Sequence, residues 1–318
     1  MTPAPKLLTL KIDVDTYRGT REGVGNLLRL LGAYQAHATF LFSLGPDHTG
    51  WALRRALKPG FFSKVSRTSV VEHYGLKTLM YGTLLPGPDI GKQCADEMRA
   101  VRDAGFECGI HTWDHVLWQD NVAKRGAAWT TAMMRKAAGR YAQVFGAPPH
   151  THGAAGWQMN PAAFGEHDTA GYRYASDGRA QLDDRGALLS EASGPHRLQD
   201  EPLSCIQMPT TLPTLDELLG REIDGVLITT GNIAAHLLAL TAAANRDHVY
   251  TLHAELEGQK LAPIFEQLLA GWQAQGYRLA SMADYYEKVK DATLPVCPIA
   301  WGEIPGRSGQ LIVQGKAR

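Results

Sequence analysis

The chain has 318 residues, 44% hydrophobic and 20% charged, proportions of a globular enzyme with a substantial buried core. Its 32 basic and 32 acidic residues cancel, so no whole-molecule basic field argues for nucleic acid. No apolar run reaches the roughly eighteen residues of a membrane span, and because the chain enters its first apolar run at Leu7 no secretory signal is expected.

The first run, Leu7 to Thr16, reads as a strand. Period-two alternation puts Leu8, Leu10, Ile12 and Val14 on one face and Thr9, Lys11, Asp13 and Asp15 on the other. A helical pattern follows from Glu22 to Tyr34, so the strand belongs to a parallel sheet buried on both faces. Asp13 and Asp15, about 7 Å apart on one face, then point into the protein. Two like charges there repel and lose hydration, so either one neutralises or a cation joins them. The same pair can also cap the next helix or meet Lys11 in a structural ion network.

Ala38 to Gly45 is a second buried strand. Residues 51–88 differ in character: six Lys or Arg (Arg54, Arg55, Lys58, Lys64, Arg67, Lys77) face one acid, Glu72, among Trp, Phe and Leu. The stretch is too long for an ordinary βα loop and reads as an insertion. Trp51, Arg54, Arg55, Lys58, Phe61, Phe62 and Lys64 suit a surface lying on anionic lipid. A helical cap packed on the body, its charges solvated, is the other reading. Ile90 to Ala104 is a helix, Phe106 to His111 a third strand, and Trp129 to Phe145 a long helix. Further strands are expected at Tyr172–Asp177, Cys205–Pro209, His248–His253 and Tyr277–Ala280, separated by helical patterns. Residues 292–318, rich in Pro and Gly, form a tail expected to drape over the surface. Cys94, Cys108, Cys205 and Cys297 contain no C-x-x-C pair and read as reduced, mostly buried thiols of a cytoplasmic protein.

Strand and helix alternate throughout, which predicts α/β class: a single distorted (β/α) barrel of about seven strands over residues 1–291. Asp13, Asp15, His111, Asp177 and His253 fall at or near C-terminal strand ends, the rim where such barrels do chemistry. His111-Thr112-Trp113-Asp114-His115 sets two imidazoles four residues apart. With an acid from another strand end they make a two-His, one-carboxylate site with positions open for water and substrate.

Asp13-Val14-Asp15, His111 to His115, Ser176-Asp177 and Leu252-His253, in this order, resemble the motifs of the polysaccharide deacetylases, the NodB-homology amidohydrolases. Within that family the likeness is to a branch that deformylates an undecaprenyl-phosphate-linked formylated aminoarabinose during lipid A modification. It extends over Arg18 to Gly23, Gly45-Pro46-Asp47, Ala154 to Trp157, Pro209 to Thr214 and Tyr250 to Glu255. The resemblance implies that Asp15, His111 and His115 hold one divalent metal (Zn, Co and Mn are equally acceptable), that Asp13 is general base, and that His253 is general acid oriented by Asp177. Backbone N–H groups near Gly156 and Trp157 would face the oxyanion. It further implies an anionic inner-membrane surface as partner, approached from the cytoplasmic side. Two departures stand out. Many members have adjacent aspartates where Val14 separates these. Many also carry a base-holding arginine next to the Gly156-Trp157 position; none is present, and Arg179 is expected to substitute, with Lys11 as the other available cation.

Overall fold

The structure, a computed structural model, describes residues 5–52, 75–198, 203–244 and 246–317. Eight strands form its main sheet: β1 (Leu7–Val14), β2 (Thr39–Ser43), β3 (Glu107–Thr112), β4 (Thr151–His152), β5 (Tyr174–Ala175), β6 (Ile206–Gln207), β7 (His248–His253) and β8 (Arg278–Ala280). Their order is β7-β1-β2-β3-β4-β5-β6, with β8 on the first residues of β1, and every pairing is parallel. The sheet curls until the chain past β6 meets β7. Thr211 N–H donates to Val249 O at 2.9 Å, and the Thr210 and Thr251 hydroxyls lie 2.6 Å apart. This is the distorted (β/α) barrel that the alternating pattern predicts.

Around it run α1 (Val24–Ala33), α2 (Ala95–Asp103), α3 (His115–Asn121), α4 (Ala127–Phe145), α5 (Pro161–Ala170), α6 (Ile233–Ala243), α7 (Ala262–Ala274) and α8 (Met282–Val289). Their ends follow local chemistry. Asp114 caps α3 by accepting from Leu117 N, Asn160 caps α5 by accepting from Ala163 N, and Gly146 and Gly171 close α4 and α5 at positive φ. The helix expected over Ile90–Ala104 is broken at Cys94 into Ile90–Gln93 and α2.

β1 explains the layering. Leu8, Leu10, Ile12 and Val14, all fully buried, pack in the core that also holds Leu27 and Leu31 of α1 and Leu268 and Trp272 of α7. Each such side chain contributes roughly 1.5–3 kcal/mol by burial. The opposite face carries Thr9, Lys11 and Asp13 into the barrel interior, above an apolar floor that includes Leu7, Leu41, Tyr174 and Val249. The apolar face and the ladder hold β1 in place while its other face carries buried charge.

Two expectations change. The C-terminal segment is built into the body: β9 (Ile299–Gly302) and β10 (Leu311–Gln314) pair antiparallel, and Leu311, Ile312 and Val313 are buried. Arg179 N–H donates to Ile312 O at 2.9 Å, and Gln314 N–H to Arg179 O at 2.8 Å. The Pro and Gly residues make turns, and the apolar Leu-Ile-Val run forms the strand. In the insertion, Arg54, Arg55, Lys58, Phe61, Phe62 and Lys64 lie outside the described residues. Trp51 is half-buried, stacked on His48 with ring centroids 3.9 Å apart and its indole N–H donated to Gly82 O at 2.6 Å. No helix among the described residues is long and apolar enough to cross a membrane. All four cysteines are free; Cys108 is half-buried and the others buried.

Candidate active site

The C-terminal ends of β1, β3 and β7 converge on one point. Asp13 of β1 sits beside His253 of β7 in the parallel register. Asp15 follows one step past β1, His111 comes from β3, and His115 from the first residue of α3. His111 Nε2 is 3.1 Å from Asp15 Oδ1, and His115 Nε2 is 3.4 Å from Asp15 Oδ2. The two imidazoles face each other with centroids 5.3 Å apart. His111 is buried and His115 half-buried, so one side of the group opens outward.

One ligand atom from each of Asp15, His111 and His115 can be chosen so that all lie within 4.8 Å of one another. Donors about 2.0–2.1 Å from one tetrahedral ion are roughly 3.3 Å apart, which the two measured contacts bracket. Asp15 Oδ1, Asp13 Oδ1 and His111 Nδ1 are buried with no hydrogen-bond partner among the described residues. The donor set and the orphaned oxygens fit a divalent cation. Burial pushes Asp15 up, yet His115 and His111 hold it well below the usual carboxylate range; His111 is displaced upward, burial opposed by the charges of Asp13 and Asp15.

Lys11 holds Asp13. Its Nζ lies 3.0 Å from Asp13 Oδ2, both side chains buried, and passes over the Trp157 ring at 5.2 Å. Gly153 gives Lys11 its path, since a Cβ there would come within 2.7 Å of Lys11 Cε. Behind Asp15, Glu255 Oε1 accepts from Asp15 N, Thr16 N and the Thr16 hydroxyl at 3.1, 2.8 and 2.8 Å, locking the turn that aims Asp15. Burial and then the charge of Asp15 raise the Glu255 carboxyl well above its ordinary value. Glu257 accepts from His253 N at 2.9 Å and from Tyr250 O–H at 3.0 Å, fixing the backbone of the expected acid; burial pushes its carboxyl up to about 7.

Three expected roles are corrected. Asp177 does not orient His253. Its carboxylate lies on the helix side of the sheet, 2.6 Å from His152 Nδ1 and 3.6 Å from His167 Nε2. His152 pairs with Ile110, one step out of phase with the inward His111, so alternation turns it outward. Asp216 is near enough to feel His253: burial pushes its carboxyl up, and the charges of Arg307 and then of His253 hold it below the usual range. Asp216 sits inside the capping box of Thr214 and Glu217 and reads from sequence as an ordinary helix-start acid. Arg179 does not touch Asp13. It is fully buried in a two-pronged pair with Glu217, its Nη2 3.0 Å from Oε2, and donates to Leu212 O at 3.1 Å. Lys11 takes the place expected of it. Finally, Trp157 N–H is donated to Ala154 O at 3.0 Å and is not available to an oxyanion. The Trp157 ring instead lies against Arg179 and Arg307, each 4.6 Å from its centre, with Arg307 coming from the loop of the C-terminal hairpin.

No family model matches the chain. It is 35% identical over 304 residues, 95% of its length and 92% of the relative's, to a probable 4-deoxy-4-formamido-L-arabinose-phosphoundecaprenol deformylase, ArnD, of Shewanella sediminis. A protein of the same description from Wigglesworthia glossinidia brevipalpis is 29% identical, covering 94% of this chain and 99% of that one. A Mycobacterium smegmatis crystal structure assigned to the polysaccharide deacetylases has TM-score 0.64 at 14% identity, covering 96% of this chain and 97% of its own; it speaks to the fold alone. With the barrel and its rim in place, the chain belongs to the ArnD deformylase family, hydrolases of a linear amide bond.

Proposed function

We propose that this protein hydrolyses the formamide of 4-deoxy-4-formamido-L-arabinose-phosphoundecaprenol, releasing formate and the free amino sugar lipid for lipid A modification and resistance to cationic peptides. The observation that carries this reading is the meeting of Asp13, Asp15, His111, His115 and His253 on one rim of a chain whose relatives bear that name. Asp15, His111 and His115 would hold the cation. When bound, a divalent ion there supplies Lewis acidity at the formyl oxygen and brings the pKa of water towards roughly 7. Asp13, fixed by Lys11, takes the proton of the attacking water. His253, backed by Asp216, delivers a proton to the sugar nitrogen as the C–N bond breaks. Lys11 and Glu255 spend no proton; they set the directions of the two aspartates.

The test is mass spectrometry of the formylated lipid incubated with enzyme, with and without chelator. Loss of one formyl group, stopped by chelator and restored by added metal, is expected. An unchanged lipid with metal present, or turnover indifferent to chelation, contradicts the reading.

A polyprenyl-phosphate substrate resides in a bilayer, so we also propose that the basic-aromatic residues 51–88 dock on the anionic cytoplasmic face of the inner membrane, each well-placed cation contributing about 1 kcal/mol. Co-sedimentation with anionic vesicles should fall sharply when Arg54, Arg55, Lys58 and Lys64 become Ser. Unchanged sedimentation would remove the idea.

A further inference from the structure

On the opposite side of the sheet lies a second group of the same composition. His152 of β4, His167 of α5 and Asp177 just past β5 offer one ligand atom each, all within 4.8 Å of one another, and all three residues are buried. The direct His152–Asp177 contact at 2.6 Å accounts for one carboxylate oxygen. The other, Oδ2, stands 3.6 Å from His167 Nε2, beyond hydrogen-bond length, and has no hydrogen-bond partner among the described residues. Neither nitrogen of His167 has one either. A buried polar atom left unpaired is costly, and native interiors rarely leave one standing.

Protonating His167 would not relieve this. A proton on Nε2 would still lie beyond hydrogen-bond length of Asp177, and Nδ1 would still have no partner among the described residues. Two imidazoles facing one carboxylate are the donor set of a borderline cation.

We propose that His152, His167 and Asp177 form a second metal site, closed and structural, that binds a zinc-type divalent cation. The site is independent of the catalytic group, which faces the barrel interior. Its place in the fold gives it a purpose. β4 and β5 are two residues each, so the sheet has few ladder bonds there, and an ion shared by β4, α5 and the turn after β5 ties the helix to the sheet at that point. Closed sites of this kind contribute to stability rather than to chemistry.

The experiment separates the two sites. In the His111→Ala/His115→Ala double variant, refolded with zinc and dialysed against EDTA, elemental analysis should find about one ion per chain, released only on denaturation. Adding His167→Gln should empty it and lower Tm by at least about 5 °C. His167→Cys in the same background, which restores a donor, should keep it. Cobalt in the double variant should show the intense visible absorption of a tetrahedral site, a readout that holds even where a His167 variant fails to fold. A folded double variant with no ion and no such absorption, or a folded His167→Gln triple variant that retains its ion, overturns the proposal. Neither outcome bears on the catalytic group, whose ligands the double variant already lacks.

Discussion

Lys11 is fully buried, a placement that costs several kcal/mol unless a carboxylate meets it, and Asp13 Oδ2 does so at 3.0 Å. The pair therefore has one stable arrangement, and that arrangement aims the expected base. Lys11→Met keeps the volume and removes the cation. It should lower kcat by about 10²-fold or more, with KM little changed and metal content intact. Wild-type kcat in a folded Lys11→Met protein would contradict the role. The alternation of the first strand made Asp13, Asp15 and Lys11 legible in the sequence, because a period of two assigns faces without further information. Arg179 was not legible in the same way. It follows a two-residue strand, and its direction is set by Glu217, thirty-eight positions away, which no local period reveals. Asp216 was hidden differently, since a capping box accounts for its position before any catalytic reading is needed.

At the scale of elements, strands long and short were legible in the sequence, the short ones only with loose bounds: β5 and β6 lie inside the runs read at Tyr172–Asp177 and Cys205–Pro209. β1, β2 and β7 are 8, 5 and 6 residues long with both faces buried, long enough for their apolar and β-branched residues to mark them. β4, β5 and β6 have two residues each, too few for a period to register. The C-terminal hairpin shows why composition misleads: Gly306 and Gly309, at φ 89° and 76°, make turns between strands. Through that hairpin the chain's last segment reaches the rim. Arg307 pairs with Glu217 at 2.8 Å and with Asp216 at 3.1 Å, and lies on Trp157, so the hairpin holds the acid proposed to back His253.

The whole molecule carries its buried histidines as an acid sensitivity. His196 is the plainest case: burial depresses its pKa to about 4 against the weak opposing pull of its hydrogen bond to Gly194 O. The unfolded chain takes up that proton near pH 6.5 and the folded one does not until about pH 4, so unfolding becomes more favourable as pH falls through this window. The contribution amounts to roughly 3 kcal/mol across it. Glu257, raised to about 7, works the other way, adding stability at low pH that is lost as pH rises through 7, so the net slope of the wild type is a poor guide. The difference between proteins is the cleaner quantity. His196→Gln should lose less urea stability than wild type between pH 6.5 and 4.5, the gap widening by up to about 1.4 kcal/mol per pH unit. Parallel curves would contradict the assignment.

The central claim is that residues from two separate strands and one helix start converge so that Asp15, His111 and His115 grip a cation while Asp13 stands beside it to take a proton. Metal content and deformylation rate measured on one preparation of Asp13→Asn test it most directly. A metal-to-protein ratio equal to wild type, with the rate down by about 10³-fold or more, is the predicted result. Loss of the ion along with the activity, or a rate near wild type, would contradict it.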